Sequence, residues 1–376
     1  MKQMKIFLDP QTFNIQKFGG ISRYFSEIYK VAKTDKSIQI ILPLYYSQNL
    51  HIKDLIYNDT NFFYKLGIKI GFLRKKIHRK LIRKNKKLYT KTFKNKNFDV
   101  FIPTYYDTKF LNLIGGKPFV LTVYDMIHEL FPQYFLDDLD TIKNKKILIE
   151  KATKIIAISE STKKDILRFN PEIDSSKIEV IYLSQSINLD SEIIIDLPKK
   201  YILFVGNRTI YKNFNFFIKS ISKYILQNKD LFLVCAGGNK FSEDELELLS
   251  DLKILNQVIQ QNFEDDELAY FYKNAQCFVF PSEYEGFGIP VLESMVSGCP
   301  VILAKHSSFL EVAGDAGVFF ELNNSIDLVN KIDLIIKDMD FRSEIIEKGY
   351  LQSNKFNWTK TANECLKVFQ NAINKC

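Results

Sequence analysis

Short runs of β-branched and aromatic residues alternate with longer stretches of helical apolar spacing along the chain, and the alternation breaks once and starts again. That order constrains the fold strongly, because parallel neighbouring strands need crossovers of a dozen or more residues, usually helical. In the first half the strand-like runs are 5–9, 38–43, 99–103, 119–124, 154–159 and 179–183, with helix-period stretches such as 22–33 and 161–169 between them. Asp196-Leu197-Pro198-Lys199-Lys200 interrupts the pattern. It resumes with strand-like runs at 201–205, 231–236, 257–260, 277–280, 301–304 and 317–321, and helical spacing at 213–226, 265–273, 291–296 and 326–337. A last helical stretch, 358–372, has no strand after it. The prediction is an α/β protein of two doubly wound domains meeting near Pro198. At 376 residues the chain exceeds the size at which one hydrophobic core stops growing.

Open α/β sheets bind ligands outside the carboxyl ends of their strands. Two such sheets facing a cleft would present the loops after each strand to it, so those loops are where chemistry is to be sought. The most informative is Phe280-Pro281-Ser282-Glu283-Tyr284-Glu285-Gly286-Phe287-Gly288-Ile289-Pro290, which runs on into Val291-Leu292-Glu293. It follows a strand and opens a helix; Pro290 suits the first helical position and Gly298 the left-handed residue past its end. Gly286 and Gly288 let the backbone approach a ligand and point N–H groups at it. Glu285 and Glu293 could each accept two hydroxyl hydrogen bonds, as a sugar ring or a ribose diol requires. An early glutamate is also favoured by the helix dipole alone, and glycines beside a proline can be a plain tight turn. Three acidic residues crowded beside two glycines and an aromatic favour the ligand reading.

A second loop, Val205-Gly206-Asn207-Arg208-Thr209-Ile210-Tyr211-Lys212-Asn213, places two cations where a helix begins, against the macrodipole. A diphosphate lying between Arg208, Lys212 and the N–H groups of the helix start would resolve that conflict; side chains turned to solvent would also. The glycine spacing and terminal Ser/Thr of a Walker loop are absent. Gly19-Gly20 follow the first strand and open a helix, a weaker signal of the same type. In the loop 122–129, Asp125 and His128 could face the cleft from the first domain. Asp137-Asp138-Leu139-Asp140 reads as a solvated face rather than a metal site.

Together these loops resemble the retaining glycosyltransferases of the GT-B fold, family 4. The most specific element is Glu285, seven residues, then Glu293, supported by Gly206 through Lys212-Asn213, by Gly19-Gly20, by Glu311-Val312-Ala313-Gly314-Asp315-Ala316 and by the Trp358 helix. The resemblance implies an acceptor-binding domain at 1–197, a nucleotide-sugar-binding domain at 198–357, and a helix at 358–376 crossing back to the first. It implies that Arg208 and Lys212 hold the donor diphosphate and that Glu293 binds the ribose hydroxyls. Glu285, with the backbone of Phe287, Gly288 and Ile289, would hold the donor sugar, and Gly19 and Gly20 would approach the diphosphate. Catalysis is expected from Asp125, His128 and Glu285, with retention of configuration and no metal or other cofactor. Many relatives carry a histidine directly before the Asp of the 122–129 loop; here that residue is Tyr124. The donor implied is a nucleotide-activated hexose, GDP-mannose or a relative. The acceptor would be a glycan or lipid-linked saccharide in bacterial lipopolysaccharide or capsule synthesis. A nucleotide-sugar epimerase, a sugar phosphorylase and a non-catalytic nucleotide-sugar- or nucleic-acid-binding protein are the rival readings.

Charge adds one feature of its own. Between 60 and 98 there are fourteen Lys or Arg and no Asp or Glu, so the formal charge of +8 resides in that segment and the rest of the chain is net acidic. Ile70, Leu73, Ile77, Leu81 and Leu88 fall near one helical face within it. A helix lying on an anionic membrane is built this way, which predicts peripheral membrane contact through 70–96. A cationic helix packing its apolar stripe on the first domain is the alternative; nucleic acid lacks a recognition motif. No run of eighteen apolar residues and no signal peptide is found. Five cysteines without metal-ligand spacing complete the expectation of a cytoplasmic protein, at most touching the inner face of the membrane.

Overall fold

Each strand-like run becomes a strand, and every strand pairing among the described residues is parallel. The computed structural model describes residues 3–56 and 74–374. The chain divides into two compact units. The first comprises Met1–Ile158, Thr162–Leu183 and Trp358–Cys376; the second comprises Ser159–Ser161 and Ser184–Asn357.

In the first unit β1 (Met4–Leu8), β2 (Ile38–Ile41) and β3 (Val100–Ile102) form a sheet in the order β2-β1-β3. A second sheet holds β4 (Val120–Val123), β5 (Lys154–Ala157) and β6 (Ile178–Val180) in sequence order. A parallel bridge between Phe101 and Phe119 joins the two sheets, so the strand order reverses between β1 and β3. An aromatic cluster fills the space beside β1: Phe7 packs on Phe93, Phe98 and Phe101 with ring centroids 4.7, 5.2 and 5.0 Å away. The helix Trp358–Asn374 lies along the helix Gly20–Thr34. It buries Ala362, Cys365, Phe369 and Ala372, which recur three or four residues apart as one helical face must.

The second unit is one six-stranded sheet in the order β12-β11-β10-β7-β8-β9. Its strands are β7 (Tyr201–Val205), β8 (Phe232–Ala236), β9 (Val258–Gln261), β10 (Cys277–Phe280), β11 (Val301–Ala304) and β12 (Gly317–Phe320). Strand order reverses between β7 and β10, so the loops after these two strands leave the sheet side by side. The helix Phe214–Gln227 returns on the sheet with Phe214, Phe217, Ile218, Ile221 and Ile225 buried. Such fully buried side chains each stabilise by about 1.5–3 kcal/mol.

Several helices were not foreseen, among them Leu139–Lys151, Glu243–Asp251 and Met339–Ser353. The last has no single apolar face: its buried residues are Ile345, Gly349, Gln352 and Ser353.

In the basic segment the helix Arg74–Asn95 turns Asn85 and Phe93 inward, with Tyr89 half-buried against Phe7 at 5.7 Å. Leu81 is half-buried and Leu88 is exposed among lysines, whereas Ile70, Leu73 and the side chain of Ile77 lie outside the described residues. Lys84 folds back over the Tyr45 ring at 4.2 Å. Among the described residues no helix is long and apolar enough to cross a membrane.

Candidate active site

The loops after β7 and β10 are tied together. Glu283 donates its backbone N–H to the Tyr211 carbonyl at 2.8 Å, and the Lys212 ammonium donates to the Glu285 carboxylate. Both side chains are largely buried, at 17% and 15% exposure, so this is a shielded ion pair rather than a surface one. Lys212 also lies over the Phe280 and Tyr211 rings, at 4.9 and 5.3 Å.

Local chemistry explains how the loops hold these positions. Gly288 has φ 92°, and a Cβ there would meet Phe309 at 3.1 Å, so glycine is required at this turn. The helix Ile289–Val296 starts after it, with Pro290 in its second position rather than its first. Gly298 follows the helix with φ 71° in the left-handed conformation expected of it. Ser308, fully buried, donates one hydroxyl to the carbonyls of both Glu285 and Phe287, at 2.8 and 3.0 Å. Phe287 packs on Phe356, 5.9 Å between centroids. Glu293 is buried at 6% exposure, and the Tyr272 hydroxyl donates to its Oε2 at 3.4 Å. His306 sits beside the loop, its Nε2 3.0 Å from the Ser282 carbonyl; burial pushes its pKa down, opposed by that hydrogen bond and by Glu285.

Arg208, expected at the diphosphate, is bonded to the protein itself. Its guanidinium is spent on protein groups: Nε and Nη2 donate to Glu245 at 2.6 and 3.3 Å, and Nη1 and Nη2 donate to the carbonyls of Gly237, Asn239 and Lys240. The plane lies 4.6 Å over Phe241. Glu245 is itself fixed as the third residue of a capping box with Ser242. Arg208 thus fastens the β7 loop to the helix Glu243–Asp251, and Lys212 is the cation turned toward the β10 loop.

In the first unit Gly19 has φ 155° and ψ 162°, a region open to glycine, and a Cβ would meet Gln16 Oε1 at 3.1 Å. Gly20 begins the helix, as the sequence suggested, and Ser22 donates its hydroxyl to the Gly19 carbonyl at 3.0 Å. Asp125 follows β4 and accepts the Ile127 N–H at 3.1 Å. Lys145, fully buried, donates to the Asp125 carbonyl at 3.1 Å and to Glu129 at 2.9 Å. His128 turns to Asp138, 3.4 Å from Nε2, and stacks on Phe135 at 4.2 Å; its buried Nδ1 has no hydrogen-bond partner. Tyr124 is buried and donates its hydroxyl to the Thr104 carbonyl at 3.0 Å, so it occupies the position as a core residue. Asp138, from the acidic run, bonds Thr141 and faces His128. Among the described residues no group of three or more His, Cys, Asp or Glu could hold a metal ion. Cys235, Cys277, Cys299 and Cys365 are buried and unpaired, and Cys376 lies outside the described residues.

Sequence reasoning missed Ser308, Lys145 and the partner of Arg208. Ser242 followed three residues later by Glu245 was a readable signal for the last; no local pattern marks the other two.

The family described as Glycosyl transferases group 1 matches residues 187–352, the span that contains both loops. Over 241 residues the chain is 28% identical to MJ1607, an uncharacterized glycosyltransferase of Methanocaldococcus jannaschii, covering 59% of this chain and 61% of that protein. It is 24% identical over 276 residues to O-antigen chain mannosyltransferase B of Escherichia coli, covering 67% and 70%. The crystal structure of HepE from Anabaena in complex with UDP and glucose superposes with a TM-score of 0.69 at 17% identity, over 98% of this chain and all of that one. Residues 187–352 thus match the glycosyl transferases group 1 family, and the chain carries the GT-B fold.

Proposed function

We propose that this protein transfers a hexose from a nucleoside diphosphate sugar to a saccharide acceptor, free or lipid-linked, in the synthesis of a bacterial surface polysaccharide such as lipopolysaccharide or capsule. The observation that carries the reading is the Lys212–Glu285 pair at the strand-order reversal, with the buried carboxylate of Glu293 in the helix that follows the β10 loop. Ligands of open α/β sheets sit at that reversal, and here a cation for a phosphate and two acceptors for hydroxyls converge on it. Similarity to an O-antigen mannosyltransferase supports mannose as the hexose and a surface glycan as the product.

In this reading Lys212 neutralises the departing diphosphate, and Arg208 holds the loop that presents it. Glu293 accepts the ribose hydroxyls. Glu285, with the backbone of Phe287, Gly288 and Ile289, holds the donor sugar, and Gly19 and Gly20 admit the phosphates closely. Asp125 and His128 position the acceptor hydroxyl. The bond from the anomeric carbon to the phosphate oxygen breaks while the acceptor oxygen bonds to the same face. The acceptor proton passes to the departing phosphate oxygen, and configuration is retained. Positive charge comes from Lys212 and backbone N–H groups, so the reaction requires no metal ion.

The exposed cationic face of the helix Arg74–Asn95, with Leu88 among its lysines, is assigned to the anionic inner face of the cytoplasmic membrane, where a lipid-linked acceptor would lie. Sedimentation with anionic vesicles, reduced when Arg83, Lys87 and Lys91 are replaced by Glu, tests that part. The transfer itself is tested by supplying NDP-hexoses with saccharide acceptors and reading the product's anomeric proton by NMR, with and without EDTA. An α product from an α donor, formed equally in EDTA, is expected. A β product, or activity abolished by EDTA, would refute the mechanism; conversion of the donor without acceptor would favour an epimerase.

A further inference from the structure

The first unit has its own strand-order reversal, between β1 and β3, and a crevice of about 320 Å³ lies where those strands end. It is built from Asp9 and Gln11 after β1, Asn85, Lys86 and Tyr89 from the helix Arg74–Asn95, and Asp107 after β3. Asp9 is buried at 5% exposure, and its carboxylate accepts backbone N–H groups of Gln11 and Thr104; no cation pairs with it among the described residues. Gln11 Oε1 is buried without a hydrogen-bond partner. Burial, with a smaller contribution from Asp107, raises the pKa of Asp9, and burial, with smaller contributions from both carboxylates, raises that of the Tyr89 hydroxyl. Lys109, which also lines the crevice, takes up Asp107, its backbone N–H and ammonium reaching the carboxylate at 2.8 and 3.5 Å, so Asp9 and Gln11 Oε1 are the buried acceptors left without a cation.

Two neighbouring buried acceptors call for a ligand that donates to both. A metal is one candidate class, but no metal-holding group exists among the described residues. Neutral hydroxyls remain, several on one small ring. Burial pushes the Asp9 carboxyl up to about 7, which suits a site that meets hydroxyls rather than a second charge.

The crevice also opens in one direction. Lys86 lines it and at the same time lines the adjoining groove formed by Arg83, Lys87, Lys91 and Lys94. A ligand with its ring in the crevice would direct a substituent past Lys86 onto a cationic face, where a phosphate is matched. Asn85 keeps the two parts in register. Its side chain accepts from the Tyr45 and Tyr46 N–H groups and donates to Asn14 Oδ1 and the Tyr46 carbonyl, which locks the helix against the β1 loop.

We propose that this crevice is a glycosyl phosphate subsite, in which Asp9 and Gln11 accept ring hydroxyls and Lys86 binds the phosphate attached to the anomeric carbon. Resting on the glycosyltransferase reading above, this names the acceptor as a saccharide joined to a phosphate, whether free or esterified to a lipid.

The test is saturation-transfer NMR with a panel of hexose 1-phosphates, and with hexosyl phosphate esters of a short prenol, on the full chain. Free hexoses and inorganic phosphate are the comparisons. At least one hexose 1-phosphate or its prenyl ester binds the wild type ten times or more tighter than the free sugar or phosphate. Asp9→Asn and Lys86→Ala each weaken that binding tenfold or more, and Lys212→Ala leaves it unchanged. Lys86 is on the surface, so its variant stays informative should Asp9→Asn fail to fold. Tighter binding of the prenyl ester would identify the lipid-linked source, and equal binding the soluble one. Absence of binding by both probes, or binding unaltered by both variants, overturns the subsite. Nucleoside diphosphate sugar binding, measured on the same samples, separates the two readings: if it persists while glycosyl phosphates fail, the subsite alone is wrong.

Discussion

The ammonium of Lys212, at the end of the β7 loop, is hydrogen-bonded to the carboxylate of Glu285, in the middle of the β10 loop. The two loops flank the point where strand order reverses, so one ion pair holds both sides of the proposed donor site. A donor diphosphate would add a second anion to the same ammonium. Charge-assisted hydrogen bonds contribute about 1.5–3 kcal/mol, so Lys212→Ala should weaken nucleoside diphosphate sugar binding by about ten- to a hundredfold. Calorimetric titration of the folded variant gives that number; its unfolding temperature should also fall, because Glu285, 15% exposed, loses its partner.

Arg208 should act on stability rather than on donor binding. Its side chain is 4% exposed and Glu245 16% exposed, so removing the guanidinium strands a largely buried carboxylate. Arg208→Ala is expected to destabilise the fold by about 3 kcal/mol or more. The double variant with Glu245→Ala should recover part of the loss, as a thermal denaturation double-mutant cycle will show. A stable Arg208→Ala with weakened donor binding would instead return Arg208 to the diphosphate.

Ser308 makes a similar contribution from behind the glycine loop. Its hydroxyl donates to the carbonyls of Glu285 and Phe287, the residues assigned to the donor sugar. Ser308→Ala should cost about 1–2 kcal/mol of stability. It should also raise the donor KM more than it lowers kcat, since the loop loses its anchor and no reacting group is removed. Steady-state kinetics over a donor titration checks this.

Asp9 gives a pH dependence of definite sign. Burial lifts its folded-state pKa from about 3.8 to about 7, so the native chain holds its proton over a range where the unfolded chain does not. The associated stability is fully present below about pH 4 and is lost as pH rises through about 7. Asp9→Asn, which keeps an acceptor and removes the charge, should therefore raise the melting temperature more at pH 8 than at pH 5. Melting curves of both proteins across that range would show it; a constant difference would place Asp9 in a solvated setting.

Strand placement was legible because twelve short runs of Val, Ile, Phe and Tyr carry it locally, and the glycine loops because Gly288 and Gly298 must take backbone angles that other residues avoid. Partners that depend on the fold were hidden. Arg208 and Lys212 stand four residues apart as equal candidates in sequence, yet one meets Glu245 and the other Glu285. His128 gave no sign that it would face Asp138, nor Tyr124 that it would be buried with its hydroxyl on Thr104. In the basic helix Tyr89 and Phe93 set the inward face, which a count of Ile and Leu alone passes over, while Leu81 is half-buried and Leu88 exposed.

Donor recognition by the β7 and β10 loops is the central claim, and a thermal-shift screen of nucleoside diphosphate sugars tests it most directly. Wild type should be stabilised by one donor, and by its nucleoside diphosphate, at concentrations above Kd. Lys212→Ala and Glu293→Ala, both folded, should lose most of that shift. A folded wild type stabilised by no donor, or variants that keep the full shift, would contradict the account.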